Sequence, residues 1–277
     1  MALFGTRVPL TALFGAAVMA LFILLAIFGP WITPYPPDAT VGKTWTGPSA
    51  EFWLGTDNIG RDILSRIIAG AQTTIGIALV TTVLSFTLGV SAGIFASVGG
   101  QWLDNLMSRV VDMFLSVPVL IMALIVLTAL GSSIPTLILT IAFLDSTRVF
   151  LVARAVAVDV AARDFLDVAR LRGERMPWIM FHEILPNAMP PLISEFGLRF
   201  CFNFLYVASL SFLGLGVQPP QADWGGMVRE NGQAIAFGIL APIWPALAIA
   251  LVTVAVNLVV DWLLSRNVKP SGASAEL

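Results

Sequence analysis

Six stretches of the chain stay apolar over about 20 residues or more, and no other feature constrains the fold as strongly. An α-helix needs about that many mostly apolar residues to cross the hydrocarbon core of a bilayer. The six predicted spans are 10–31, 70–98, 106–130, 136–158, 192–213 and 241–264. We therefore predict an all-α integral membrane protein with six transmembrane helices. The first stretch follows Arg7, but it is too long for a secretory signal and we expect it to remain uncleaved.

Composition excludes several other classes of protein. Of the 277 residues, 57% are hydrophobic and 12% are charged, against about 25% charged in ordinary soluble domains. These values exclude a soluble globular enzyme and a disordered chain, and the net charge of −2 gives no reason to expect a nucleic-acid partner. The single cysteine, Cys201, excludes an intrachain disulfide and a thiolate metal cluster. The single histidine, His182, has no second ligand nearby, so we predict no metal site.

The distribution of lysine and arginine predicts the orientation of the spans. Basic residues crowd around the loop 155–191 and flank both ends of the chain: Arg148, Arg154, Arg163, Arg170, Arg172, Arg175, Arg7, Arg266 and Lys269. With six spans these places lie on one side, which the positive-inside rule makes cytoplasmic. The opposite loops hold only Lys43, Arg61, Arg66 and Arg229. Both termini and the loop 155–191 are therefore predicted to be cytoplasmic.

Two patterns inside the spans predict contacts between helices. Gly89 and Gly93 form a G-x-x-x-G spacing, which favours close approach of a second helix. Charged residues also occur three or four positions apart, where opposite charges can meet on one helix face. These pairs are Arg109 with Asp112, Asp145 with Arg148, and Glu195 with Arg199. They are candidates for a transport path, but for the first two pairs we favour a position near the cytoplasmic helix ends.

No ATP site is predicted in the chain itself. The segment Gly42-Lys43-Thr44 resembles the end of a phosphate-binding loop, but Pro37 stands where that motif needs its first glycine. The segment also lies in a predicted outside loop. If substrate is moved uphill, the energy must come from a partner or from an ion gradient.

The loop 155–191 carries the motif that suggests a family. It contains Asp167-Val168-Ala169, then Gly173 after three residues, and Leu185-Pro186 further on. This pattern resembles the motif of permease subunits of ATP-binding-cassette importers, which is Glu-Ala-Ala, three residues, Gly, nine residues and Ile-x-Leu-Pro. The departures are Asp167 for Glu, Val168 for Ala and Glu183 for Ile.

Further segments resemble the dipeptide, oligopeptide and nickel branch of these importers. They are the stretches 52–66, 109–118 and 211–220, with Asp223-Trp-Gly225 beyond the last. The similarity runs from the first helix to about Asp261, and the outside loop between the first two helices resembles the C-type member of a permease pair.

This resemblance implies a type I importer permease fold in a bacterial inner membrane. The partners would be a homologous B-type permease, two ATPase subunits and an extracytoplasmic substrate-binding protein. The chain would be non-catalytic and bind no cofactor, with ATP and magnesium on the ATPases. Its expected parts are an N-terminal helix with outside loop (1–69), a five-helix core (70–266) and a cytoplasmic tail (267–277).

The resemblance also assigns two groups of site residues. A short coupling helix would dock in a groove of the ATPase through Arg163, Asp164, Asp167, Val168, Ala169, Arg170, Arg172, Gly173, Glu174, Leu185 and Pro186. A contact with the binding protein, or an outer gate, would involve Asn58, Arg61, Gln218, Asp223 and Trp224. A purely structural role for this second group is an equal alternative.

Two other classes and several substrates stay open. An ion-coupled secondary transporter would need ionisable residues at mid-membrane and usually an internal repeat. We find no repeat, and we expect the mid-span positions to be nearly free of charge. A structural membrane subunit is a third possibility, which the docking motif disfavours. Di- or oligopeptides are the expected cargo, because the spans show no cluster of nickel ligands. Nickel or another small solute is the alternative cargo.

Overall fold

The computed structural model describes residues 8–163, 169 and 171–267 of the chain. This part is helical, and its α-helices are α1 (Leu10–Ile32), α2 (Ile63–Val98), α3 (Gln101–Leu115), α4 (Val119–Leu130), α5 (Ile134–Ala161), α6 (Met176–Trp178), α7 (Leu185–Phe212), α8 (Trp224–Glu230) and α9 (Ile243–Asn267). A π-helical turn, Ile179–Ile184, joins α6 to α7, and a 3₁₀ segment, Gly232–Phe237, follows α8.

Most of the six predicted membrane spans coincide with helices that are long and apolar enough to cross a bilayer. Within the described residues, α1, α2, α5 and α9 pass by length and composition, and α3 with α4 forms a fifth candidate when counted as one span. The fifth predicted span, 192–213, coincides with most of α7, which has 28 residues but also carries Pro190, Glu195 and Arg199. The all-α membrane architecture predicted from the sequence is thus confirmed.

The helix pairs α1–α9, α1–α2 and α7–α9 run antiparallel, whereas α2 and α5 run parallel, and the bundle has two distinct ends. A Cβ on Gly15 of α1 would lie 2.8 Å from the Ala255 carbonyl oxygen of α9, and one on Gly29 would lie 3.0 Å from that of Ile68 in α2. The Asn257 amide of α9 reaches Cys201 of α7 at 3.5 Å. One end of the bundle therefore holds the start of α1, the end of α9 and the segment 171–187. The other end holds the segments 33–62 and 213–242.

A close helix contact joins α2 to α5 through two glycines. A Cβ on Gly89 would lie 2.5 Å from Val149 Cβ and 2.6 Å from the Ser146 carbonyl oxygen. A Cβ on Gly93 would lie 2.8 Å from the Phe150 carbonyl oxygen. Since ordinary carbon contacts lie at 3.5–4.0 Å, no side chain fits at either position. The contact predicted from the G-x-x-x-G spacing is confirmed.

The start of α2 differs from the sequence prediction. The helix begins at Ile63 rather than at residue 70, so the expected boundary between the outside loop and the core falls inside it. Asp62 caps the helix by accepting the Ser65 N–H at 2.8 Å, which satisfies one of the free N–H groups of the first turn. Hydropathy misses this turn because it contains Ser65 and Arg66, and Arg66 is buried and ion-paired.

The third predicted span is also different, because it consists of two helices. α3 and α4 meet at a bend of 82° across Ser116, Val117 and Pro118. The residue before a proline is disfavoured in the α-helical region, and proline itself lacks the N–H that a continuous helix would use. Pro118 therefore ends α3 and starts α4, although the apolar run continues through both.

Candidate functional site

The predicted coupling motif contains a helical turn that ends at a glycine. Gly173 has a φ of +77°, a region that L side chains rarely adopt, and the Glu174 N–H donates to the Ala169 carbonyl at 3.3 Å. This i to i−5 bond across a left-handed residue is the Schellman helix ending. A Cβ on Gly173 would meet nothing within 4 Å, so backbone conformation requires the glycine here and crowding does not.

Only part of the coupling motif can be described. Asp164, Asp167, Val168 and Arg170 lie outside the described residues. Among the described positions Ala169 is buried, Arg163 and Arg172 are exposed, and Glu174 is half-buried. Sequence reasoning did not single out the neighbouring Leu171, which is 87% exposed.

We call residues 171–187 the elbow, and a small cluster of side chains braces it. Glu183, one of the departures from the family motif, has its carboxylate 3.5 Å from the Arg172 guanidinium. That guanidinium also lies 5.8 Å from the ring centroid of Trp178, and Trp178 stacks on His182 at 5.3 Å. The unexpected acid is therefore paired across the turn instead of standing alone.

The second half of the elbow is anchored in the bundle. Ile179, Met180 and Ile184 are buried in one apolar cluster with Ile94 of α2 and Ala157 of α5. Leu185 and Pro186 then form the first turn of α7, a position at which proline is tolerated because its missing N–H would be free anyway. A displacement of the elbow would consequently reach α2, α5 and α7 together.

At the opposite end, a buried ion network ties the segment 33–62 to α8. Arg61 lies 2.6 Å from Asp57 and 2.7 Å from Glu230, and Arg66 lies 3.1 Å from Glu230 and 3.6 Å from Asp57. Both arginines and Asp57 are almost completely buried. Asn231 extends the network, since its Oδ1 accepts the Asn58 N–H at 3.0 Å.

Trp224 and Asp223 fix α8 against α2. The Trp224 side chain is fully buried, donates from Nε1 to the Ile67 carbonyl at 2.9 Å, and occupies the space beside Gly70. Asp223 caps α8 by accepting the Gly226 N–H at 2.9 Å. Burial raises the pKa of Asp223 to about 6, although hydrogen bonds from Gly226, Ser211 and Gly225 act in the opposite direction.

The five residues predicted for the outside thus differ in position. Arg61, Asp223 and Trp224 are buried, and their described contacts hold the outer segments together. Asn58 is half-buried. Gln218 is exposed, and its amide donates to the carbonyls of Gly214 and Gly216 and to Ser132. Of this group, Gln218 presents its side chain most openly.

A polar cluster lies between α2, α5 and α7, inside the bundle. Asp145 of α5 is fully buried and accepts hydrogen bonds from Ser85 at 3.1 Å and Asn203 at 3.1 Å. Arg199 of α7 lies 3.4 Å from Asp145 and 2.7 Å from Glu195. Three helix-borne polar side chains, those of Ser85, Asn203 and Arg199, therefore surround one buried carboxylate. Sequence reasoning missed Ser85 and Asn203, for which a polar side chain within an apolar span was the available signal.

This cluster corrects the predicted position of the charges. Asp145 and Arg148 lie near the midpoint of α5, not near its cytoplasmic end, and Glu195 and Arg199 lie near the midpoint of α7. Asp145 pairs with Arg199 of another helix, while Arg148 NH1 donates to the Tyr206 hydroxyl at 2.6 Å. The expectation that mid-span positions are nearly charge-free is therefore wrong.

Taken together, these features define a class of protein. A bundle of apolar helices with polar and charged side chains at mid-span, an exposed elbow at one end and a fixed cap at the other is the architecture of a membrane transport subunit.

Comparison with known proteins identifies the family. Residues 85–269 match the binding-protein-dependent transport system inner membrane component, and residues 11–46 match the N-terminal transmembrane domain of oligopeptide transport permease C. The chain belongs to this family of binding-protein-dependent inner membrane transport components, as the resemblance of its motifs indicated.

Similar proteins cover nearly the whole chain. It is 32% identical to the dipeptide transport system permease protein DppC of Alkalihalophilus pseudofirmus, over 91% of this chain and 83% of that protein. It is 35% identical to the di/tripeptide transport system permease protein DppC of Pseudomonas aeruginosa (91% and 86%). It is 33% identical to the glutathione transport system permease protein GsiD of Escherichia coli (91% and 84%).

A solved structure supports the fold. The crystal structure of an amino acid ABC transporter matches with a TM-score of 0.50 at 19% identity, over 73% of this chain and 94% of that chain. At this level of identity the similarity concerns the fold alone.

Proposed function

We propose that the chain is one of two permease subunits of an ATP-driven importer, and that the complex carries di- or oligopeptides. The relatives named above are permeases of dipeptide, di/tripeptide and glutathione transport systems, and each covers most of this chain. Peptide cargo in three such relatives supports a peptide cargo here. The remaining partners in the proposal are a B-type permease, two ATPases and an extracytoplasmic binding protein.

The elbow is the observation that carries the ATP-driven part of the proposal. It offers an exposed apolar tip at Leu171, a helix end fixed by the left-handed Gly173, and a buried anchor at Ile184. A partner that binds the elbow at Leu171 would move the rest of the elbow, which packs on α2, α5 and α7. Transport would then follow from switching of the bundle between two arrangements, without covalent chemistry in this chain.

In this proposal the elbow and both chain termini are cytoplasmic. The start of α1, the end of α9 and the elbow share one end of the bundle, which is the end rich in arginine. Two of the basic residues at the opposite end, Arg61 and Arg66, are buried and neutralised by Asp57 and Glu230. The positive-inside rule counts lysine and arginine whether or not they are paired, so the assignment depends on the larger number of these residues at the elbow end.

The charges at mid-span do not favour an ion-coupled transporter. Asp145 is fully buried, is hydrogen-bonded by Ser85 and Asn203, and faces Arg199. Such a carboxylate is already compensated by its own bundle, whereas a coupling-ion site must exchange its ion with water in each cycle.

Co-purification tests the proposed assembly. We expect the tagged chain, expressed with its chromosomal neighbours and solubilised in mild detergent, to retain a second permease and two ATPase subunits. Leu171→Glu should reduce the retained ATPase at least tenfold while the second permease stays bound, because it places a charge on the exposed tip. The control Lys43→Ala, at the other end of the bundle, should change nothing. Absence of ATPase from the wild-type preparation would refute the ATP-driven machine, and full retention with Leu171→Glu would refute the role of the elbow.

A further inference from the structure

One face of α7 combines charges and aromatic rings near the middle of the helix. Glu195, Arg199, Phe202 and Tyr206 are spaced i, i+4, i+7 and i+11, which places them on a single face. They also contact each other in series: Arg199 lies 2.7 Å from the Glu195 carboxylate and 4.9 Å from the Phe202 ring centroid, and the Phe202 and Tyr206 rings stack at 6.4 Å. We call these four residues the α7 stripe.

Arg148 of α5 contacts the C-terminal residue of the α7 stripe, Tyr206. Its NH1 donates to the Tyr206 hydroxyl at 2.6 Å, and Arg148 as a whole residue is half-buried. Within the described part of the chain, no carboxylate lies within salt-bridge distance of Arg148. A phenol hydroxyl satisfies one of the five N–H donors of an arginine and none of its charge.

The charged side chains of the stripe argue against lipid as its neighbour. An arginine at the bilayer centre is costly, and such residues face a protein interior or a water-filled cavity. Phe202 is 38% exposed and lies beside Arg199, so the stripe is open on its outer side. The opposite face of α7 is different: Ile193, nine positions before Phe202 and therefore about 180° around the helix, is 50% exposed among apolar neighbours.

We infer that the α7 stripe and Arg148 line the translocation path and contact the charged ends of the passing peptide. A free peptide carries an ammonium group and a carboxylate. Glu195 shares Arg199 with Asp145, so two carboxylates face one guanidinium and the excess negative charge can attract the ammonium. Arg148 offers an uncompensated guanidinium to the carboxylate, and the rings of Phe202 and Tyr206 offer apolar contact between the two ends. Asp145 of α5 forms an ion pair with Arg199, which fixes the position of the Arg199 guanidinium within the stripe. The peptide part of this inference rests on the proposed function.

Thiol modification in the reconstituted complex tests whether the stripe faces water. In a Cys201→Ser background, Phe202→Cys is compared with Ile193→Cys on the same helix and with Val254→Cys on α9, which is 51% exposed. We expect a membrane-impermeant cationic methanethiosulfonate to modify Phe202→Cys at least tenfold faster than either control. Equal rates would place the stripe against lipid, and an unreactive thiol that forms a cross-link to the second permease would make it a subunit contact. Either outcome would overturn the inference.

A second arm tests the contact with the peptide carboxylate. Uptake of trialanine and of trialanine amide is compared in wild type, Arg148→Gln and Arg148→Lys, with the same binding protein throughout. Wild type and Arg148→Lys should prefer the free acid, and Arg148→Gln should lose that preference by about tenfold in the uptake ratio. An unchanged ratio would remove Arg148 from substrate contact. Lack of wild-type trialanine uptake would instead count against the proposed peptide function, while the thiol result would still decide whether the stripe faces water.

Discussion

The contact between α2 and α5 leads to a prediction that can be worked out from distances. Gly89→Ala would place a Cβ 2.5 Å from Val149 Cβ and 2.6 Å from the Ser146 carbonyl oxygen. Because carbon contacts are optimal at 3.5–4.0 Å, the two helices must separate by about 1 Å or distort. Overpacking of this kind costs about 1–3 kcal/mol. Part of that cost is offset, since alanine is favoured over glycine inside a helix by about 0.5–1 kcal/mol.

The same helix provides a matched control at Gly76. A Cβ there would meet nothing within 4 Å, so Gly76→Ala keeps the gain in helix propensity and adds no clash. The difference between the two variants therefore isolates the cost of the clash. We expect Gly76→Ala to equal or exceed wild type in stability and Gly89→Ala to fall below it, with about 1–3 kcal/mol between the variants.

The assay can use the single cysteine of the chain. Cys201 is 5% exposed in α7, so a thiol-reactive fluorophore reacts with it when heating opens the bundle in detergent. We expect Gly89→Ala to have a lower Tm than both wild type and Gly76→Ala. If Gly89→Ala matched Gly76→Ala, the close α2–α5 contact would be refuted.

Three further predictions concern the two ends of the bundle. Glu230→Gln should destabilise the chain by about 3–5 kcal/mol in the same assay, because it leaves Arg61 and Arg66 with one buried carboxylate; an unchanged Tm would contradict the ion network. The raised pKa of Asp223, about 6 against 3.8 unfolded, contributes stability that is present below pH 4 and lost as the pH rises through 6. Wild type should thus lose about 3 kcal/mol relative to Asp223→Asn between pH 4 and 7, and parallel Tm curves would refute this. Gly173→Ala should reduce peptide-stimulated ATPase activity more than Gly173→Asn, because asparagine tolerates the left-handed φ; equal activities would show that the turn is not required.

Helices whose ends coincide with the ends of an apolar run were predictable from the sequence. The predicted span 10–31 became Leu10–Ile32, and the span 136–158 became Ile134–Ala161. Gly89 and Gly93 were also interpretable, because a small-residue spacing in an apolar helix has few other uses. In these cases local composition carries the whole signal.

Features that depend on partners distant in sequence were not predictable. The first turn of α2 contains Arg66, whose burial depends on Glu230, 164 positions later. Asp145 was assigned to Arg148 by spacing, but tertiary packing brings Arg199 and Asn203 to it instead. Pro118 itself was a local signal for the break between α3 and α4, but the continuous apolar run 106–130 led to the prediction of a single span.

Uptake by reconstituted vesicles tests the central claim most directly. The complex of this chain with its partner permease and ATPases is placed in proteoliposomes with the binding protein and a labelled tripeptide on the side opposite to the ATPases. The account predicts uptake that requires ATP on the ATPase side, persists when ionophores collapse all ion gradients, and stops when the chain is omitted. Uptake that ignores ATP and follows an imposed proton or sodium gradient would contradict it.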